Sequence, residues 1–172
     1  MIRLLSGVAL AAAALAAILF LPVIGLRMLA SLVAVLAAVE TVNAGMPATL
    51  DAAALTVMAA RGQITGAKVD GPLAFDNAIS LDAARIKEIS SPVAGNADIL
   101  LVPNLEAGNM LAKQLIYFAG ADAAGLVLGA RVPIILTSRS DSLRVRIASV
   151  ALAKLVAAAT RKAALSARPS GA

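Results

Sequence analysis

The chain has 172 residues, with 15 Lys or Arg against 10 Asp or Glu, a formal charge of +5, and 60% of its residues are hydrophobic. That length is enough for one ordinary domain with its own core. There is no cysteine and no histidine, which excludes disulfides, thiol nucleophiles, Cys/His zinc sites and histidine general bases, and leaves acid–base work to Asp, Glu, Lys, Tyr or water.

Leu4 to Leu26 carries no charged residue and is bounded by Arg3 and Arg27. Such a run is long enough for a helix to span a bilayer, and with Arg3 in front of it the segment also reads as an export signal. Pro22 and Gly25 would kink or end a helix, and a second apolar run, Met28 to Val39, follows. A third reading is a segment whose packing partner is missing, although hydropathy alone favours the membrane. Residues 1–32 are therefore expected to be an apolar helical segment. It should pack poorly on the rest, because it has no amphipathic face to orient it.

Val33 to Val39 suits either a buried strand or the tail of a helix. Asn43 to Pro47 is a loop by composition. Thr49 reads as an N-cap with Asp51 in the first turn, and Leu50, Ala54, Leu55 and Met58 give the stripe of a helix ending by Gly62. Asp70-Gly-Pro72 reads as a turn, Ser80 as the cap of a short helix over Leu81 to Ile89, and Ser90 to Asn96 as a loop. Asp98-Ile-Leu-Leu-Val-Pro103 is the clearest strand. Asn104 to Asn109 is then a polar loop, followed by a helix through Leu111, Leu115 and Phe118 that stops at Gly120. Ala124 to Gly129 and Val132 to Thr137 are short strands, the second of them buried, and Leu143, Ile147 and Val150 open a last helix. This alternation predicts a layered α/β fold with a parallel or mixed sheet, in which Ile99–Val102 and Pro133–Thr137 share one sheet.

Ligands of such folds bind beyond the carboxyl ends of the strands. Two polar loops, Asn104–Asn109 and Ser138–Ser142, lie directly after strands and are expected to face one crevice. The second, Ser138-Arg-Ser-Asp-Ser142, brings hydroxyls, a guanidinium and a carboxylate to a helix N-terminus, where free backbone N–H groups favour an anion. The plainer reading is that Ser140 or Asp141 caps the helix and Arg139 is solvated. The basic residues Arg139, Arg144, Arg146, Lys154, Arg161, Lys162 and Arg168 crowd the end of the chain. None of the four aromatics, Phe20, Phe75, Tyr117 and Phe118, interleaves with them, so a surface for nucleic acid is not expected. No phosphate-loop or dinucleotide fingerprint is present.

Taken in order, Val42-Asn43, Met46 to Ala54, Gly62-Gln63, Asp70 to Ile79, Ser91 to Gly95, Ala97 to Pro103, Glu106 to Asn109, Gly120 to Gly125 and Ile135 to Arg139 resemble the phosphate acetyl/butyryl transferases. The likeness runs from about Val33 to Ala159. It is strongest to the butyryl type and to the transferase part of proteins that also carry an enoyl-CoA hydratase domain. It divides the chain into residues 1–32, outside the family pattern, residues 33–160, the C-terminal portion of the acyltransferase domain, and a basic tail, residues 161–172. It implies a fold like the isocitrate/isopropylmalate dehydrogenases, with two α/β domains flanking a cleft and usually a dimer. The activity implied is acyl transfer between coenzyme A and inorganic phosphate, with no metal, no resident cofactor and a cytoplasmic setting. A membrane location follows only from Leu4–Leu26.

The resemblance implies catalytic roles for Ser138, Arg139 and Asp141 and substrate-binding roles for Asp76, Glu106, Gly108 and Asn109. Arg139 would hold the phosphate, Ser138 would donate to an oxygen on which charge develops, and Asp141 or water would act on the coenzyme A thiol. The pattern departs from the family at three positions. Val145 stands where acetyl-type members carry an aspartate seven residues after the serine, Asn104 where aspartate is usual, and Ala44 where proline is usual. The family's N-terminal half is not matched, so turnover is expected only when that half is supplied. The rival expectations are an inactive, truncated homologue that binds a partner, and a membrane-anchored helical protein. Gly62 to Lys113 is too polar and too interrupted for further membrane spans.

Overall fold

A computed structural model describes residues 31–166. The apolar run Leu4–Leu26, with the anchor, signal or unpacked helix expected of it, lies outside them. The chain separates into two compact units, which among the described residues are 31–110 and 111–166.

The first unit is built on β1 (Ser31–Leu36), whose apolar run resolves as a strand. Val33, Ala34, Val35 and Leu36 are all buried, as befits a central strand of a parallel sheet covered on both faces. It pairs in parallel with β2 (Ala67–Leu73) on one side and β3 (Ile99–Leu101) on the other. Between β1 and β2 runs α1 (Pro47–Ala60). Its start differs from expectation. Thr49 lies inside the first turn, and its hydroxyl ties down the preceding loop, accepting from the Asn43 N–H at 2.9 Å and lying 2.8 Å from the Met46 carbonyl. Its buried stripe is Thr49, Ala52 and Leu55, while Leu50 and Ala54 face outward. The composition of this helix, apolar nearly all round, leaves its orientation to be set by the sheet rather than by its own pattern.

Asp70-Gly-Pro72 is not a turn but part of β2. Proline is tolerated there because β2 is an edge strand, where a missing N–H costs no ladder bond, and the register with β1 slips between Ala34 and Leu36. Gly71 is required at this point: a Cβ would lie 2.5 Å from the Val35 carbonyl oxygen. Two short helices follow, α2 (Phe75–Ile79) and α3 (Leu81–Ile86). Ser80 caps α3 as expected, its Oγ accepting from the Ala83 N–H. The helix ends three residues earlier than Ile89, and Glu88 takes a positive φ of 55°.

After β3 comes α4 (Leu105–Ala119), closed by Gly120 at φ 65°. The second unit continues with β4 (Leu126–Val127), β5 (Ile134–Ile135) and α5 (Leu143–Ser166). β4 and β5 form their own antiparallel pair, so Pro133–Thr137 does not share a sheet with Ile99–Val102. The run Val132–Thr137 is also not a buried strand. Its ladder is two residues long, and Val132, Ile134, Ile135 and Leu136 are 65, 45, 40 and 65% exposed. A short apolar run signals a strand but carries no information on what covers it. Gly125 sits so close to the chain just past β5 that a Cβ would overlap the Leu136 carbonyl oxygen. α5 is anchored through Ser149, which is fully buried: its Oγ donates to the Val145 carbonyl at 2.8 Å and accepts from the Gly125 N–H at 3.0 Å. Among the described residues no helix is long and apolar enough to cross a membrane.

Candidate functional site

In the first unit the carboxyl ends of β1, β2 and β3 share one edge of the parallel sheet, and each is followed by polar residues. Glu40 follows β1, Asp76 and Asn77 follow β2, and Asn104 and Glu106 follow β3. Lys87, just past α3, reaches back to this edge. Its Nζ lies 3.2 Å from Glu40 Oε2 and 3.0 Å from Asp76 Oδ2. The hydrogen bond from Lys87 holds the Asp76 carboxyl below its ordinary value, and the bond to Asp76 raises the Lys87 ammonium above its own. Asn77 beside them is fully buried, donating from Nδ2 to Glu40 Oε2 at 3.3 Å, while its Oδ1 is buried without a hydrogen-bond partner among the described residues. Such an orphan typically costs about 1–3 kcal/mol. The backbone around it is firmly placed. The Asn77 carbonyl accepts from the Gly95 N–H at 2.8 Å, and Gly95 is at φ 78°, packed so that a Cβ would lie 2.6 Å from Leu81 Cα.

Glu106, Gly108 and Asn109 are in the opening turns of α4 rather than in a loop. The loop reading fails because Asn104 Oδ1 accepts from the Ala107 N–H at 2.8 Å, starting the helix directly after it. With the cap supplied by Asn104, the exposed Glu106 and Asn109 side chains make no hydrogen bond or ion pair among the described residues. Gly108 allows a close approach, since a Cβ would meet Val102 Cγ2 at 2.9 Å. Among the described residues no three acidic side chains gather as a metal site would require.

In the second unit Ser138–Ser142 closes on itself ahead of α5. Asp141 Oδ2 accepts from the Ser138 N–H at 2.5 Å, the Asp141 N–H donates to the Ser138 carbonyl at 3.1 Å, and the Ser138 and Ser140 hydroxyls lie 3.0 Å apart. Neither Ser140 nor Asp141 caps the helix. Ser142 does, its Oγ accepting from the Val145 N–H at 3.3 Å. The Arg139 carbonyl is held by Arg146 Nη2 at 3.2 Å. The Arg139 side chain itself is exposed and forms no ion pair among the described residues, whereas the nearby Arg144 is bound to Asp122 at 2.6 Å. The loop thus has a carboxylate, but that carboxylate is turned onto a backbone N–H and does not neutralise Arg139.

The structure therefore gathers the sequence-predicted residues into two groups. Asp76, Glu106, Gly108 and Asn109 belong to the first unit, Ser138, Arg139 and Asp141 to the second. Glu40, Asn77 and Lys87 were not anticipated. Glu40 had a signal, since it closes the apolar run of β1 at a strand's carboxyl end. Lys87 had none, because its role depends on where α3 stops.

Comparison with known proteins gives a consistent result. The family model described as phosphate acetyl/butaryl transferase matches residues 9–154, beginning upstream of Val33. The chain is 68% identical over 131 residues to a phosphate acetyltransferase of Rhizobium meliloti, covering 76% of this chain and 42% of that protein. It is 62% identical over 120 residues to a probable phosphate butyryltransferase of Bacillus subtilis, covering 70% and 40%. Among solved structures, a branched-chain phosphotransacylase from Enterococcus faecalis V583 superposes with a TM-score of 0.71 at 33% identity, over 90% of this chain and 53% of the other. The chain spans about two-fifths of the length of the curated relatives it matches.

Proposed function

Because the chain belongs to the phosphate acetyl/butyryl transferase family, we propose that it carries residues for moving an acetyl or butyryl group between coenzyme A and inorganic phosphate. The observation that supports this best is the exposed Arg139 guanidinium, unpaired among the described residues, on the loop that opens α5. An arginine with its fork free suits a dianionic phosphate, which it can hold with two parallel charge-assisted bonds. The free N–H groups at the start of a 24-residue helix add favourable partial charge.

In the proposed reaction a phosphate oxygen attacks the thioester carbonyl and the coenzyme A thiolate departs. Hydrogen phosphate and acyl-CoA become acyl phosphate and the free thiol, so one proton passes from phosphate to sulfur. Arg139 holds the phosphate and Ser138 donates its hydroxyl hydrogen to the oxygen on which charge builds, a stabilising role rather than a nucleophilic one. Without histidine, the proton moves through Asp141 or water. Asp141 Oδ2 is engaged by the Ser138 N–H, which leaves Oδ1 as the oxygen for that transfer. Asp76, Glu106, Gly108 and Asn109 form the substrate-binding side, with Gly108 letting α4 pack against Val102 and Glu106 and Asn109 presenting polar groups that are unpaired among the described residues. In this reading the fold is the isocitrate/isopropylmalate dehydrogenase-like pair of α/β domains flanking a cleft, usually dimeric and cytoplasmic, with coenzyme A as substrate and no resident cofactor.

Phosphate-dependent release of free thiol from acetyl-CoA and butyryl-CoA tests the proposal. The chain has no cysteine, so with the chain alone a thiol reagent reads only coenzyme A. The assay is run with the chain alone and with the chain joined to the part of the Rhizobium meliloti relative that it does not match. Thiol release that requires phosphate supports the reading, and release at the same rate without phosphate makes the protein a thioesterase instead.

A further inference from the structure

The last helix buries its small residues and exposes its large ones. α5 packs on β4 and β5 through a side that carries the buried Ser149 and Ala153. Leu143, Ile147 and Val150 recur at helical spacing on the other side and are exposed. An open groove there is lined by Arg146, Ile147, Val150, Ala151 and Lys154. This inverts the usual amphipathic pattern, in which the large apolar side chains face the core. The strand pair is uncovered as well. Ile134 and Ile135 are neighbours, so their side chains point to opposite faces, and both are exposed. The pair stops at two strands, which leaves an unpaired edge on each strand among the described residues. Two strands are marginal alone, and a stable sheet needs further strands and covering layers.

Three kinds of occupant differ in what they can cover. A second copy docking across a two-fold axis covers one patch per copy, whereas here apolar surface lies on both faces of the strand pair and on the outer side of α5. A bilayer accepts apolar side chains but leaves open strand edges without partners. A complementary polypeptide can pair with the edges and lay helices on the faces. Length points the same way. The Enterococcus faecalis structure matches 90% of this chain but only 53% of its own, and the Rhizobium meliloti relative is matched over 42% of its length.

We propose that β4, β5 and the outer stripe of α5 form a docking surface for a polypeptide equivalent to the part of the phosphate acyltransferases that this chain does not match, the two together making one sheet domain. The choice of partner rests on the acyl-transfer reading. The loop Ser138–Ser142 runs from β5 to α5, so the docked partner borders the loop that carries Arg139.

The test co-expresses the tagged chain with the unmatched part of the Rhizobium meliloti relative as a separate polypeptide. The tagged chain is purified and the stoichiometry of what it retains is measured by sedimentation. A one-to-one complex is expected. Hydrogen exchange at Ile134 and Ile135 should be slower in the complex than in the chain alone, a readout that needs no substitution. Leu143→Glu/Ile147→Glu places two charges on the exposed stripe and should cut the retained partner by at least about ten-fold, with the circular dichroism of the chain unchanged. Ile86→Glu, at another exposed apolar position but in the first unit, should change retention by less than about two-fold. The proposal is overturned if no partner is retained, if exchange at Ile134 and Ile135 is unchanged, or if the double variant retains as much as the unaltered chain. A chain that only pairs with itself, or only sediments with phosphatidylglycerol vesicles, overturns it too. If the complex forms and the double variant breaks it, yet no acyl phosphate is made, the acyl-transfer reading falls and the docking surface stands. Acyl phosphate made by the chain alone, with no partner retained, leaves that reading standing and removes the docking surface.

Discussion

The two units are stabilised in different ways. In residues 31–110 the core is made of large side chains, with Val33, Leu55, Leu73 and Val93 all at most 2% exposed. In residues 111–161 the buried positions are Ser149, Ala153 and Ala159, while Leu136, Leu143 and Ile147 are 65, 73 and 59% exposed. A parallel sheet must bury both faces, so β1 forces helices and loops onto it and the core follows. A two-residue antiparallel pair imposes no such demand. The second unit is instead held by close backbone approach at Gly125 and by the buried Ser149 hydroxyl. The lesson is that the chain places its rigid scaffold and its exposed cationic loop in separate regions.

The sharpest way to break this comparison is a matched pair of truncations. Leu55→Ala should destabilise by about 2–5 kcal/mol, the usual cost of emptying a full core site. Leu136→Ala should stay within about 0.5 kcal/mol, since its side chain is mostly in water. Denaturant unfolding measures both, and equal losses would contradict the contrast. Next in size is Gly95→Ala. The positive φ and a Cβ at 2.6 Å from Leu81 Cα leave no room to relax, and a loss of about 1–3 kcal/mol is expected in the same experiment. Ser149→Ala is the second unit's counterpart. It strips the Gly125 N–H of its acceptor and should cost about 1–2 kcal/mol, with hydrogen exchange at Gly125 rising accordingly.

The smallest effect is the pH dependence of the Lys87 cluster. Asp76 is lowered from 3.8, so its contribution is present above that value and is lost as pH falls through the lowered pKa. Lys87 is raised from 10.5, so its contribution is present below that value and is lost as pH rises through the raised pKa. Stability should therefore be flat across neutral pH, with a shallow decline at each extreme. Lys87→Met should remove the alkaline decline and shrink the acidic one in pH-dependent unfolding.

Much of the fold was legible because backbone chemistry is local. The apolar run of β3, the Ser80 cap and the Gly120 stop each follow from a few adjacent residues. The start of α1 was not, because Thr49 is equally suited to cap a helix and to tie a loop from inside its first turn. Asp70-Gly-Pro72 carries every mark of a turn, and only its place at a sheet edge makes it a strand. Val132–Thr137 was legible as extended chain but not as exposed, since burial depends on partners that a short run does not encode. For the site, Ser138 and Arg139 stood out by residue type and by their position before a helix. Lys87 did not, because its two acidic partners lie 47 and 11 residues away and meet it only in the folded sheet.

The account's central claim, that the loop before α5 grips phosphate for acyl transfer, is tested most directly by acyl-phosphate formation from acetyl-CoA in the chain joined to the unmatched part of the Rhizobium meliloti relative, with Arg139→Ala, Arg139→Lys and Ser138→Ala in parallel. The account predicts the largest loss for Arg139→Ala, about 100-fold at the upper end of a charged hydrogen bond's worth. It predicts incomplete recovery with lysine, a point charge without the planar fork, and a smaller loss for Ser138→Ala. Undiminished acyl-phosphate formation by the Arg139→Ala protein would contradict it.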